Sequence, residues 1–170
     1  DLLLNGAFSP LEGFLGEADY ERVCAEMRLQ SNVLWPIPGT LDVSAAFAEK
    51  IATGDTIALR DPEGVLIATM AVSDLWTPDK HSEARRVFGT TDHTHPGVDY
   101  LLHRAGPVYL GGRVHGIEPP TFYDFKLLRD TPSELRGRFR KLGWRRVVAF
   151  QTRNPLHRAH QELTFRAARE

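Results

Sequence analysis

A chain of 170 residues with 42% hydrophobic and 25% charged residues has the composition of an ordinary globular protein with enough apolar material for a core. Its formal net charge of −1 argues against a protein that coats nucleic acid or lies on a membrane surface. The single cysteine excludes an internal disulfide framework and favours a reducing cytoplasm. No stretch reaches the length of a membrane span.

The first 120 residues predict a small mixed domain rich in short strands. An apolar stripe at helical spacing predicts a helix from about Ala18 to Leu29, and Cys24 falls on this stripe as a buried structural thiol rather than a nucleophile. Two β-rich runs joined by the turn sequence DPEG at residues 61–64 predict a hairpin. The segment VYLGGRVHGI predicts another short extended pair around Gly111 and Gly112. Together these segments predict a compact barrel-like sheet.

Two histidines in this region, His93 and His95, have a spacing that metal ligands can use. The sequence offers no further recognisable ligand beside them. An ordinary polar loop is therefore the favoured interpretation, and a metal site is the alternative.

A helix is predicted to begin at Thr131, after the pattern changes at Glu118-Pro119-Pro120. Thr131 is suited to the N-cap and Pro132 to the first helical position, while Glu134 completes a capping box. Gly143 predicts the end of this helix.

The apolar run VVAF at residues 147–150 predicts a strand buried on both faces of a parallel sheet, and a helical pattern then continues to Glu170. Helix, strand, loop and helix in this order are how a doubly wound α/β domain begins. We therefore divide the chain into domains at 1–130 and 131–170 and expect the second to be incomplete, because one strand makes no sheet.

Six basic residues precede the predicted strand. They are interpreted mainly as a solvated helix face with favourable charge near the helix C-terminus, and alternatively as a means of drawing anionic substrates inward. The six are Arg136, Arg138, Arg140, Lys141, Arg145 and Arg146.

The segment QTRNPLHRAH at residues 151–160 follows the predicted strand directly. Asn154 and Pro155 suit the N-cap and first position of a helix, so the helix is predicted to begin at Pro155. A helix N-terminus at the carboxyl end of a strand is a favourable place for an anion. His157 and His160 would then lie in the first turns and point towards the same anion.

Three interpretations of this segment remain open from the residues themselves. The histidine pair can be incidental, or it can bind a metal, although no carboxylate or cysteine stands beside it and the neighbouring arginines repel a cation. The favoured interpretation is a phosphate or sulfate site, in which Arg153 supplies a rigid fork and Gln151 a neutral donor.

The longer stretch QTRNPLHRAHQEL resembles the signature of the ATP sulfurylases (sulfate adenylyltransferases), nucleotidyltransferases with a His-x-x-His helix start. LLNGAFSPLEGFL, NVLWPIPGTLDV, VFGTTDHTHPGVDYLL and GPVYLGGRVHGI are similar to the N-terminal domain of that family, so the resemblance covers nearly the whole chain. It implies an α/β protein, α+β overall, in which a PUA-like β-barrel precedes the first strand–helix unit of a Rossmann-like nucleotidyltransferase domain.

The family reaction converts ATP and sulfate to adenylyl sulfate (APS) and pyrophosphate, in sulfur metabolism. By position, the resemblance implies that Gln151 and Arg153 bind sulfate. Thr152, Arg153 and Asn154 would be the catalytic residues, with Asn154 against the α-phosphate of ATP.

The same resemblance places His157 and His160 on the ATP phosphates, where they would stabilise the departing pyrophosphate; Gln151 and Asn154 would also contact ATP. Mg²⁺ would arrive with ATP, and no metal site of the protein itself is expected. The resemblance further implies a cytoplasmic homo-oligomer, an APS kinase that is fused or associated, and no membrane or nucleic-acid partner.

Two rival functions stay open. One is another adenylyltransferase of the same superfamily that transfers to a carboxylate or a phosphate ester. The other is a PUA-like binding module whose α/β segment is vestigial, since a fold alone does not give a function. The chain by itself is expected to be inactive, because an adenine pocket needs a sheet that it does not supply.

Overall fold

The computed structural model describes residues 1–118 and 123–169, which form two compact units within Asp1–Leu128 and Arg129–Glu170. The first unit contains, in chain order, β1 (Gly13–Phe14), α1 (Glu17–Glu26), β2 (Leu41–Val43), α2 (Ala45–Ala48), β3 (Thr56–Arg60), β4 (Leu66–Trp76), α3 (Lys80–Phe88), α4 (Pro96–Asp99) with a π-helical turn (Tyr100–Arg104), β5 (Val108–Gly116) and a 3-10 turn (Lys126–Leu128). The second contains α5 (Pro132–Lys141) and α6 (Arg158–Arg169). The Pro119-Pro120 pair, where the sequence pattern changes, lies outside the described residues. None of the described helices has the length and apolar character needed to cross a bilayer.

The sheet of the first unit is antiparallel and is organised around β5. Its strand order is β1-β5-β4-β3, and β2 also pairs with β5. A bulge between Val72 and Asp74 shifts the register of β4 against β5, and such a bulge bends the strand that carries it. A mixed α/β protein with a strand-rich first part agrees with the prediction.

The predicted hairpin is confirmed as β3 and β4. The Gly64 N–H donates to the Asp61 carbonyl oxygen at 3.0 Å, which closes the turn, and Gly64 has a φ of +90° that favours glycine. The Asp61 carboxylate accepts a further bond from the Val65 N–H at 2.8 Å. Turn residues at the right spacing thus determine this hairpin locally.

The predicted extended pair around Gly111 and Gly112 is wrong, because both glycines lie inside the nine-residue strand β5. A Cβ atom on Gly111 would overlap the backbone of Gly16, and one on Gly112 would overlap the carbonyl oxygen of Ala71. Glycine is needed here because two other backbone segments approach β5 closely, and not because the chain turns.

The first unit has two core clusters, and the second is formed around Met70, Val72 and Leu110 of the sheet. Tyr20, Val23 and Cys24 of α1 are buried in the first cluster, as their spacing predicts. Met27, the next large apolar residue along the chain, is exposed because it adopts the left-handed conformation (φ 54°) that ends α1. At the other end of α1 the Asp74 carboxylate accepts from the Glu17 N–H at 2.7 Å and serves as a cap from β4.

The start of α5 confirms the predicted capping box. The Thr131 hydroxyl accepts from the Glu134 N–H at 3.3 Å, and the Glu134 carboxylate accepts from the Thr131 N–H at 2.7 Å. The latter contact keeps the pKa of Glu134 below its usual range. Gly143, with a φ of +71°, follows the last turn as predicted.

We expect the substitution Thr131→Ala to lower the free energy of unfolding by about 1 kcal/mol, because the first turn of α5 loses its side-chain acceptor. Urea unfolding followed by far-UV circular dichroism measures this loss. Thr131→Ser keeps the hydroxyl and should match the unsubstituted chain. Equal losses in the two variants would show that the threonine methyl group, and not the cap, stabilises the helix.

The predicted strand at residues 147–150 does not form. A strand needs a neighbour that exchanges backbone hydrogen bonds with it, and the described part of the second unit contains no other strand. Val148 is 67% exposed, and Leu163 of α6 is 55% exposed. Their apolar character therefore indicates a surface that this stretch of chain does not itself cover.

Candidate functional site

The loop between residue 150 and α6 is shaped by Thr152. Its hydroxyl accepts from the Asn154 N–H and donates to the Asn154 carbonyl oxygen, both at 3.1 Å. Such bonds between a side chain and nearby backbone compete with helix formation. They explain why the helix does not begin where the sequence predicted.

The prediction that α6 begins at Pro155 is wrong, since the helix begins at Arg158. The His157 carbonyl oxygen accepts from the Gln161 N–H at 3.1 Å, so His157 stands at the junction of loop and helix. The unpaired N–H groups of the first helical turn consequently follow His157 instead of Asn154. The expected helix N-terminus is present, displaced by about one turn towards the C-terminus.

The two histidines do come together as predicted. The ring centroids of His157 and His160 are 3.9 Å apart with 33° between the ring planes. The ring of Phe150 contacts His160 from the other end of the loop, with a centroid distance of 5.4 Å. An aromatic group of three rings therefore stands where the loop meets α6.

The orientation of His160 limits how it can meet a ligand. Its Nδ1 atom is buried and has no hydrogen-bond partner among the described residues. Nε2 is therefore the ring nitrogen that is available to a ligand. A buried acceptor without a partner is less unfavourable than a buried N–H without one, so the tautomer with its proton on Nε2 is favoured.

The remaining predicted residues, Gln151 and Arg153, are exposed on the loop. No contact that the structure describes joins either of them to the histidine rings. The nearest acidic residue in sequence, Glu162, is paired with Arg166 at 2.8 Å. The loop thus presents donors and positive charge without a competing carboxylate in its own sequence.

Positive charge is concentrated in the second unit. From Arg129 to Glu170 the chain has eleven lysines and arginines against four acidic residues, a formal net charge of +7, whereas the whole chain has −1. Arg138 is paired with Asp130 at 2.9 Å, and α5 carries Arg138, Arg140 and Lys141 in its last turn, as expected for charges near a helix C-terminus. Such a surplus favours the approach of anions.

The described part of the chain includes no group of three or more His, Cys, Asp or Glu side chains arranged to hold a metal ion. His95 instead caps α4, where its Nδ1 accepts from the Gly97 N–H at 3.2 Å, and its ring packs on Phe88. His93 lies with its ring centroid 6.0 Å from that of His103.

Two family models match successive parts of the chain. One described as a PUA-like domain matches residues 1–119, and one described as ATP-sulfurylase matches residues 126–170. The chain belongs to the PUA-like domain family. Its last part is similar to the ATP-sulfurylase family.

Relatives named sulfate adenylyltransferase align with the whole chain. Identity is 49% for the protein from Schizosaccharomyces pombe, 52% for that from Eremothecium gossypii and 51% for that from Saccharomyces cerevisiae. Each alignment covers 100% of this chain but only 33–35% of the relative, so the chain spans about a third of the length of the curated relatives it matches.

A solved structure supports the fold. The chain is similar to the hexameric APS kinase from Thiobacillus denitrificans with a TM-score of 0.73 and 34% sequence identity. The alignment covers 98% of this chain and 29% of that chain. The backbone of this chain is thus close to one already observed in a solved structure.

Two features of the chain were missed in the sequence analysis of its residues. Phe150 was assigned to a buried strand, and its contact with His160 was not foreseen, although an aromatic residue directly before the loop was a usable signal. Glu83 was not singled out at all, yet it is only 7% exposed and accepts hydrogen bonds from the hydroxyls of Tyr20 at 2.9 Å and Tyr109 at 3.0 Å. No pattern in the sequence around Glu83 indicated that it would be buried.

The interpretation of Cys24 as a structural thiol is confirmed. The residue is buried in the core cluster of the first unit. Burial raises the pKa of its thiol to about 12, so the thiol stays protonated at neutral pH and is a poor nucleophile.

Proposed function

We propose that the protein containing this chain is a sulfate adenylyltransferase, which converts ATP and sulfate to APS and pyrophosphate. The observation that carries the proposal is the close contact of the His157 and His160 rings at the start of α6, directly after a loop rich in donors. The match of residues 126–170 to the ATP-sulfurylase model and the surplus of positive charge between Arg129 and Glu170 support it.

Each loop residue has a role in this proposal. Gln151 and Arg153 bind sulfate, the guanidinium through paired hydrogen bonds to two of its oxygens. Asn154 contacts the α-phosphate and Gln151 also reaches ATP. Thr152 orients the loop through its bonds to Asn154, and no base among the described residues contacts its hydroxyl to make it a nucleophile.

The histidines act on the other substrate. His157 and His160 contact the ATP phosphates and stabilise the negative charge that develops on pyrophosphate as it leaves. The Nε2–H of His160 is the donor that its buried Nδ1 leaves available. Two imidazoles in close contact present neighbouring donors to one polyphosphate chain.

The chemical step is a direct in-line displacement. A sulfate oxygen attacks the α-phosphorus of ATP, the new S–O–P linkage forms, and the bond from the α-phosphorus to the bridging oxygen of pyrophosphate breaks. Sulfate is a weak nucleophile and approaches an anionic centre, so the site must position it and neutralise charge. No covalent enzyme intermediate is needed.

Mg²⁺ is assigned to the substrate, as a complex with ATP. The loop has no carboxylate that would suit a resident magnesium site, since Mg²⁺ prefers oxygen ligands. When bound with ATP, the ion supplies charge neutralisation to the phosphates. The loop and the histidine pair are the groups of this chain that contact sulfate and the phosphates in the step.

The domain boundaries, the assembly and the partners of the protein belong to the same proposal. We assign residues 1–130 to the PUA-like domain and 131–170 to the start of a Rossmann-like catalytic domain. A cytoplasmic homo-oligomer is proposed, with a fused or associated APS kinase that would consume the APS formed. Neither a membrane nor a nucleic acid is proposed as a partner.

The proposal is tested on the full-length protein by following ATP formation from APS and pyrophosphate, and molybdate-stimulated release of pyrophosphate from ATP. Both activities are expected, whereas the chain of residues 1–170 alone should show neither. Adenylyl transfer only to a carboxylate or a phosphate ester would favour a related adenylyltransferase. Micromolar RNA binding without either activity would favour the binding module.

A further inference from the structure

We infer that Phe150 is a positioning residue of the proposed adenylyltransferase. It orients the His160 ring against His157 and holds together the two ends of the substrate loop, which is the loop between Phe150 and α6. The inference rests on the proposed function. It adds a residue that lies before the loop and carries no polar group of its own.

The first observation is the contact geometry of His160. Its ring is in contact with Phe150 (centroid distance 5.4 Å, interplanar angle 51°) and with His157 (3.9 Å, 33°). The tilted arrangement with Phe150 is one that aromatic pairs favour. His160 is thus oriented by two rings at once.

The second observation is that no described hydrogen bond orients this ring. The Nδ1 atom of His160 is buried without a partner among the described residues. Imidazoles whose orientation matters usually have the second nitrogen fixed by a carbonyl or a carboxylate. Here the rings that pack against His160 have to fix its orientation in place of a hydrogen bond. Phe150 is the apolar ring in that packing.

The third observation is the position of the contact in the chain. Phe150 precedes the loop and His160 follows it, with nine residues between them. A contact at the ends of a loop removes much of its conformational freedom. Phe150 therefore restricts the segment that carries Gln151, Arg153 and Asn154 together with the histidine it touches.

Kinetics of the full-length protein test this role. Phe150→Leu, which keeps an apolar side chain but removes the ring, is expected to lower kcat about 10- to 100-fold, as loss of alignment in a reacting site does. Phe150→Tyr retains the ring and should restore kcat to within about 2-fold. Phe165→Ala is the matched control on α6, because Phe165 is half exposed and outside this ring cluster, and it should leave kcat unchanged.

A double-mutant cycle shows whether Phe150 acts through His160. In a His160→Ala background, Phe150→Leu is expected to cause little further loss of kcat, because the group that it positions is already gone. A multiplicative loss in the double variant, or wild-type kcat in Phe150→Leu, would overturn the inference. Failure to restore kcat with Phe150→Tyr would do the same.

Failure of the inference is distinguishable from failure of the proposed function. If the wild-type protein has no sulfate-dependent activity, the proposed function fails and the inference with it. If the wild type is active but its kcat is insensitive to Phe150→Leu, only the inference fails. Thermal melting of each variant shows whether it is folded. If Phe150→Leu does not fold, the kcat of Phe150→Tyr is compared with that of the wild type instead.

Discussion

Replacement of Arg153 by alanine in the full-length protein is expected to lower kcat/KM for sulfate about 10³-fold. The guanidinium is proposed to make two charge-assisted hydrogen bonds to sulfate, each contributing about 1.5–3 kcal/mol. A tenfold change in rate corresponds to about 1.4 kcal/mol, so their combined loss gives an effect of this size. The initial rate of pyrophosphate release, measured over a range of sulfate concentrations, gives the value.

Two further variants separate geometry from charge. Arg153→Lys keeps the charge but cannot bind two oxygens with a planar fork, and should recover only part of the activity. Arg158→Ala removes an equal charge from the first turn of α6, outside the loop, and should change kcat/KM by less than about 3-fold at physiological salt, where exposed charges are screened. Similar losses from Arg153→Ala and Arg158→Ala would mean that bulk charge, and not a specific sulfate contact, is what Arg153 supplies.

The second large effect is expected in the core of the PUA-like domain. Glu83→Leu removes the acceptor shared by the Tyr20 and Tyr109 hydroxyls. A buried hydroxyl left without a partner costs about 1–3 kcal/mol, so the free energy of unfolding should fall by about 2–6 kcal/mol. Urea unfolding of the chain can be followed by the fluorescence of Trp76, whose ring contacts both tyrosines.

A matched variant tests the cause of this loss. The triple change Glu83→Leu, Tyr20→Phe, Tyr109→Phe removes the hydroxyls together with their acceptor and should recover much of the stability, because an apolar group of similar shape replaces each polar one. If Glu83→Leu is as stable as the unsubstituted chain, the hydroxyls do not depend on Glu83.

The same carboxyl group predicts a dependence of stability on pH. Burial raises the pKa of Glu83 above its ordinary value of 4.5, against the opposing effects of the two tyrosine hydroxyls and Lys80. Above pH 4.5 the unfolded chain loses this proton while the folded chain retains it. The contribution of Glu83 is therefore complete below pH 4.5 and is lost as pH rises through the folded pKa.

Glu83→Gln is the variant that isolates this effect, because its amide does not titrate. The difference in unfolding free energy between the Gln variant and the unsubstituted chain should shift in favour of the variant as pH is raised from 4 towards 7. Urea titrations at both pH values measure that difference, in which the other carboxylates cancel. A difference independent of pH would contradict the raised pKa.

Local chemistry made several features of this protein predictable. The capping box of Thr131 and Glu134 and the DPEG turn at residues 61–64 each depend on side chains within four residues of one another, so the sequence alone specifies them. Burial of Tyr20, Val23 and Cys24 follows in the same way from helical spacing. The spacing of His157 and His160 likewise predicted that their rings come together, and they do so where the loop meets α6. The anion site that the QTRNPLHRAH segment indicates stays a prediction.

Tertiary structure decided the features that depend on distant parts of the chain. Gly111 and Gly112 resemble turn residues, yet they lie within β5 because the backbones of Gly16 and Ala71 press against that strand. A buried Glu83 could not be foreseen, since its two donors lie 63 and 26 residues away.

The substrate loop combines both kinds of information. Its composition determined which ligand chemistry it can serve, whereas the displaced start of α6 and the contact of Phe150 with His160 emerged only from the folded backbone. The physical reason is that propensity and capping act over a few residues, while ring packing and strand pairing require partners that only folding brings near. For the run at 147–150 that pairing partner is absent from the described residues, so an apolar pattern that predicts a strand did not produce one.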